Sequence, residues 1–187
     1  MKQWSKVATL GLAVLAVAVI ARAEDPKPAA AAANTKPVVE TAPAKIVWLG
    51  YDAGLAKAKS ENKPILIDFT ASWCGWCKKM DKETFSDPQV IQYIAQNVVA
   101  VKVWGDDTTR AGMVTYEGER MTQKALSNTF GVRGFPTFWF LDPTGGKLGP
   151  MSPAGYRTKE NFMPTVEYVG GNHYKTTSYE NFIKKRS

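Results

Sequence analysis

Cys74 and Cys77 are the only two cysteines of the 187 residues, and they stand three apart just beyond the apolar run Ile65 to Phe69. Pro64 before that run and Gly75 inside the pair bound it on either side. The thiols therefore fall where a buried strand ends and the next element begins. The charged and apolar residues from Lys78 through Met80 and Lys82 toward Phe85 suit a helix. A strand handing over to a helix at a dithiol restricts the chain to an α/β arrangement with the sulfurs at one end of the sheet.

Three chemistries use thiols at this spacing. A structural bridge closes so small a loop that it contributes only about 2 kcal/mol, against about 4.7 for a 100-residue loop. A structural zinc needs four ligands, and the distant His173 is the one histidine available. Two-coordinate Cu(I) remains open, because soft thiolates favour it. The redox reading has a direct cause: at a helix N-terminus Cys74 meets unpaired N–H groups and the positive end of the dipole, which lowers its pKa and makes it the attacking thiolate. Cys77, one turn on, is expected to be more buried and to resolve the mixed disulfide formed on Cys74. In that case the redox group is the disulfide itself and no further cofactor is expected.

The N-terminus has the pattern of an export signal. Lys2 and Lys6 precede the apolar run Val7 to Ile20, and Ala21-Arg22-Ala23 is a small-x-small cleavage site, with cleavage expected after Ala23. The apolar run is shorter than the roughly 20 residues needed to cross a bilayer. Residues 24–44 hold Pro26, Pro28, Pro37, Pro43 and an alanine run, and are expected to form a disordered linker to a domain over 45–187. Removing Lys2, Lys6 and Arg22 from the net charge of +7 leaves +4. The remaining lysines are interspersed with acids, which gives nucleic acid no patch to bind.

Within the domain, Ile46 to Leu49 suits a first strand, and Asp52 suits the N-cap of a helix running to about Asn62. Asp87-Pro88 restarts a helix with Val90, Ile91 and Ile94 on its apolar face. Val98 to Trp104 reads as a buried central strand, 105–120 as a looser stretch, and Thr122 to Phe130 as a helix. Thr137 to Leu141 is a strand, Asp142 to Gly146 a hairpin turn into a short last strand, and helices follow near Thr158 to Val169 and Ser178 to Lys185. This alternation implies a central mixed sheet with helices on both faces.

Two segments carry a family resemblance. Asp68-Phe69-Thr70-Ala71-Ser72-Trp73-Cys74-Gly75-Trp76-Cys77-Lys78 resembles the thioredoxin active-site segment, and Gly131-Val132-Arg133-Gly134-Phe135-Pro136-Thr137 resembles the segment carrying the cis-proline. Thr84 to Val90 is similar to the stretch after the CxxC helix in the C-terminal domain of the disulfide reductase DsbD and related exported proteins. The resemblance covers about Lys45 to Val169 and implies a thioredoxin fold and thiol:disulfide exchange with protein substrates. It implies that Asp68 is the buried carboxylate taking the proton from the second cysteine, with Lys102 paired to it. Burial in an apolar strand raises a carboxylate's pKa, which suits that task. It also implies that Pro136 is cis, so that Phe135 offers backbone groups to an extended substrate. Trp73, Gly75 and Trp76 border the sulfurs, with Trp76 expected to be exposed.

The match departs at Trp76, where thioredoxin has proline and where DsbA and the isomerases have histidine. Potentials across the fold run from about −270 mV to about −120 mV. With no cation inside the motif, a reductase is expected, and an oxidase or isomerase on the same scaffold is the alternative. Protein thiols, and a membrane electron donor of the DsbD type, are the expected partners of a monomeric periplasmic protein.

Overall fold

A computed structural model describes residues 44–149 and 154–186, which belong to one compact unit, Glu40–Ser187. The expected signal peptide and all but Ala44 of the expected linker lie outside the described residues. Helix α1 (Tyr51–Glu61) leads into strand β1 (Ile65–Thr70), followed by α2 (Gly75–Glu83), α3 (Pro88–Asn97) and β2 (Val99–Trp104). Strands β3 (Met113–Tyr116) and β4 (Glu119–Thr122) precede α4 (Gln123–Thr129), and β5 (Thr137–Leu141), β6 (Lys147–Gly149), α5 (Lys159–Gly170), a short 3-10 helix (His173–Lys175) and α6 (Tyr179–Lys184) complete the order.

The main sheet has the order β2-β1-β5-β6, with β1 parallel to β2 and antiparallel to β5. Strand β1 is buried along its whole length, and its side chains alternate between two cores. Ile65, Ile67 and Phe69 pack with Tyr51, Val101, Leu126 and Phe130. Leu66 faces Met80, Phe85, Ile94, Phe138 and Phe162 on the other side. Asp68 follows Leu66 by two, so the same alternation directs it to the face covered by α2, α3 and α5.

Three elements differ from the sequence expectation. The segment Ile46 to Leu49 makes only a single parallel bridge, Leu49 to Val101. Its Trp48 turns away to stack edge-on with Phe85 at 5.0 Å. Val99–Trp104 is consequently the outer strand of the four, its far edge met by Leu49, and Trp104 is exposed. Asp52 does not cap α1, which begins after an extended Gly50; its carboxylate accepts the Thr115 N–H at 2.9 Å and ties the helix to β3. The stretch 105–120 holds most of a separate antiparallel hairpin, β3 with β4, turning at Glu117 and Gly118, both with positive φ.

The last two helices form where expected. Helix α6 lies on α5 through Tyr168, whose ring meets those of Tyr179 and Phe182 at 5.2 and 5.3 Å. On the opposite face of the sheet α1 lies so close to β2 that a Cβ on Gly54 would fall 2.1 Å from Val101 Cγ2. Gly54→Ala is therefore expected to destabilise the fold by roughly 1–3 kcal/mol through overpacking, read as a lower denaturant midpoint.

Candidate active site

Strand β1 delivers the chain to a tight turn in which the Cys74 N–H donates to the Ala71 carbonyl at 3.0 Å. Cys74 is then the N-cap of α2: its backbone is extended, and its Sγ accepts the Cys77 N–H at 3.1 Å. A thiol in place of the usual hydroxyl or carboxylate thus receives one of the orphan donors of the first turn. Cys74 and Cys77 are joined as a disulfide. Both residues are only 4% exposed, so the expected difference in burial between them is not present. Phe135 packs against the buried cluster that the two cysteines form with Ala71.

Beneath the helix, Asp68 is buried and lies 3.3 Å from Lys102 Nζ through Oδ2. Its other oxygen, Oδ1, has no hydrogen-bond partner. Burial pushes the carboxyl up to about 6; the Lys102 ammonium opposes this, and the nearby Asp81 carboxylate reinforces it. Lys102 makes a second, closer ion pair with Asp81 at 2.8 Å, and its ammonium sits 4.7 Å above the Trp48 ring. The pairing of Asp68 with Lys102 matches the sequence expectation. Asp81 and Trp48 were not anticipated; the available signal for Asp81 was its position one helical turn after Cys77, which puts both on one face of α2.

Across the sulfurs the Phe135–Pro136 peptide is cis, and Pro136 is buried. Its carbonyl accepts the Gly155 N–H at 2.8 Å, which anchors the segment before α5 beside the site. Trp73 and Trp76 are the two most exposed tryptophans at the site, at 70% and 59%. Trp73 meets the Phe135 ring edge-on at 5.8 Å, whereas Trp76 lies against Tyr156 at 6.0 Å. Gly75 between them is exposed, with nothing within 4 Å of the place a Cβ would take. Of the nine residues singled out from the sequence, Trp73, Cys74, Gly75, Trp76 and Cys77 are contiguous at the start of α2, Phe135 and Pro136 come to them from across the fold, and Lys102 links Asp68 to α2 through Asp81.

The end of β2 completes this region. Gly105 donates its N–H to the Thr70 carbonyl at 2.7 Å and packs against the edge of the Phe135 ring. Next to it the Asp106 carboxylate accepts both the Ser72 N–H at 3.0 Å and the Ser72 hydroxyl at 2.5 Å. That hydroxyl bond, more than any other contact, holds the Asp106 carboxyl below its ordinary range. The turn before Cys74 is thus fixed from a residue 34 positions away, a contact with no signature in local sequence.

A disulfide at a helix N-terminus, over a buried carboxylate and opposite a cis-proline, defines a thiol:disulfide oxidoreductase of the thioredoxin type. Comparison with known proteins agrees. The model of the thioredoxin-like domain matches residues 51–170, and the chain belongs to that family. DsbD, the thiol:disulfide interchange protein, from Yersinia enterocolitica is 32% identical over 115 residues, covering 62% of this chain and 18% of the relative. DsbD from Photorhabdus laumondii is 30% identical over 111 residues, covering 59% of this chain and 17% of the relative. The chain thus matches less than a fifth of the length of these relatives. Among solved structures, a thioredoxin from Thermus thermophilus is similar at 26% identity and a TM-score of 0.53, over 67% of this chain and 87% of that one. A DsbH oxidoreductase is similar at 25% identity and a TM-score of 0.50, over 74% and 93%.

Proposed function

We propose that this protein is an exported, periplasmic reductase of protein disulfides, with a signal peptide removed after Ala23. The observation that carries the chemistry is the buried Asp68 carboxylate, with one unpartnered oxygen, below a helix that begins at the disulfide. In the reduced protein the Cys74 thiolate attacks a substrate disulfide. One substrate thiolate leaves, and a mixed disulfide forms on Cys74. Asp68 takes the Cys77 proton, and Lys102 holds the carboxylate in place. The Cys77 thiolate then attacks Cys74, the mixed disulfide breaks, and the second substrate thiolate departs with its electron pair. Two electrons pass to the substrate, and the disulfide re-forms with no further cofactor.

In this reading Pro136 and the Phe135 backbone pair with an extended substrate segment, while Trp73, Gly75 and Trp76 contact its flanks. The likeness to DsbD supports a membrane donor of that type as the source of electrons. Every group used in these steps belongs to one chain, so a monomer suffices for the exchange.

The direction follows from charge. Gly75 and Trp76 bring no cation to the sulfur, so the reduced form lacks the stabilisation that makes strong oxidants. Equilibration with glutathione buffers is expected to give a potential nearer thioredoxin's ~−270 mV than DsbA's ~−120 mV. Trp76→His adds a donor or cation beside Cys74 and is expected to raise the potential by tens of millivolts, because a tenfold change in the equilibrium is about 30 mV. A parent potential near the DsbA value overturns the reductase reading in favour of an oxidase. Stoichiometric Cu(I) uptake without disulfide turnover identifies a copper carrier instead.

A further inference from the structure

We propose that the Phe135 ring is a steric gate over the Cys74–Cys77 disulfide, selecting protein thiols over small thiols such as glutathione. The proposal rests on the oxidoreductase chemistry above and adds a residue that decides which thiol reaches the sulfur. Both cysteines are 4% exposed although each directly follows a tryptophan, Trp73 and Trp76, that is 70% or 59% exposed. The partly buried apolar side chain packed against the cluster they form with Ala71 is Phe135.

The ring has a built seat. A Cβ on Gly105 would fall 2.3 Å from Phe135 Cζ and 2.5 Å from Cε1, so the ring edge occupies the space that any other residue's side chain would need. The Gly105 backbone is itself held by its bond to Thr70, which prevents the ring from moving inward. On its open side the ring meets Trp73 edge-on at 5.8 Å. Asp106 holds Ser72, and with it the base of Trp73, through two hydrogen bonds. With Gly105 closing the space at its edge, a ring that swings away from the sulfurs gives up the Trp73 contact.

Such an edge-to-face pair contributes about 0.5–1.5 kcal/mol, a factor of roughly 2–10 in rate. A polypeptide compensates for the displaced ring by covering the apolar faces of Trp73 and Trp76. A tripeptide thiol has too little surface to do so. For glutathione the reaction is attack of its thiolate on Cys74 Sγ. The bond to Cys77 breaks, and the electron pair leaves on the Cys77 sulfur, which takes up a proton. A second glutathione thiolate then attacks the glutathione sulfur of the mixed disulfide, releasing glutathione disulfide and the Cys74 thiolate. A polypeptide dithiol supplies both sulfurs itself.

The test uses the full-length oxidised protein and follows its reduction by glutathione and by reduced insulin A chain in separate stopped-flow experiments. Phe135→Ala and Trp73→Ala are each expected to raise the glutathione rate constant by about 2–10-fold, with no equal rise for the polypeptide. Because Trp73 is largely exposed, its variant keeps the test decisive where Phe135→Ala perturbs the fold. A glutathione rate that rises less than about twofold in a folded variant overturns the gate. So does an equal rise with both reductants, or a change in selectivity that comes only from slower reaction with the polypeptide. Failure of the parent to react with either thiol instead refutes the assigned reaction.

Discussion

Cys77→Ala is expected to turn the protein into a covalent trap, accumulating mixed disulfides on Cys74, whereas Cys74→Ala captures nothing and reduces insulin no faster than buffer. The asymmetry comes from helix geometry. Cys74 is the N-cap of α2, and its sulfur faces the first-turn donors, including the Cys77 N–H at 3.1 Å. That arrangement favours the thiolate at position 74. Once Cys74 has attacked and one substrate thiolate has left, the only intramolecular nucleophile in reach is Cys77. With alanine there the mixed disulfide persists. Non-reducing electrophoresis of each variant after incubation with insulin separates the outcomes, and comparable trapping by both would contradict the assignment of attacking and resolving sulfurs.

Asp68→Asn is expected to stabilise the oxidised protein at pH 8 by about 3 kcal/mol while slowing resolution on the order of 10²-fold. The folded-state pKa of Asp68 is about 6, against 3.8 in the unfolded chain. A raised carboxyl pKa means that folding favours the protonated form. The associated stability is present below 3.8 and is lost as pH rises through about 6. Asparagine has no charge to bury and so escapes that loss. Lys102 is not orphaned by the change, because Asp81 still pairs with it at 2.8 Å. Denaturant unfolding at pH 8 and pH 4 gives the measurement: the gain should be full at the first and nearly absent at the second. A variant no more stable than its parent at pH 8 would show that the buried charge is not the cost it is taken to be. In single turnover the inflection near pH 6 should vanish from the resolving step and leave the first attack unchanged.

Much of the site could be read along the chain because its signals are local. An aspartate inside Ile65–Phe69 has no solvent to face, and a dithiol between such a strand and a helix has little freedom of placement. The strand β1 and the helix α2 therefore followed from sequence, as did the cis peptide before Pro136 from its flanking match. What escaped depends on contacts made across the fold. The ring packed against the cluster of the two cysteines belongs to Phe135, some sixty positions away. Gly105 looks like an ordinary loop glycine until Phe135 is placed against it. The β3–β4 hairpin escaped because Glu119-Arg120-Met121-Thr122 has little apolar alternation and Glu117-Gly118 is an uncommon tight turn. Val98 to Trp104 has the composition of a central strand because Leu49 covers its outer edge, which composition alone cannot distinguish from a neighbouring strand.

The position of Trp48 has a consequence for where the redox unit begins. The family match starts at Tyr51, with the first helix, yet the ring that lies against the Lys102 ammonium belongs to the short segment ahead of it. By covering Lys102, that segment keeps water from the charge facing Asp68 and helps set the dielectric in which the carboxylate titrates. The working unit of this protein therefore begins before its first helix, with the tryptophan that walls the proton site.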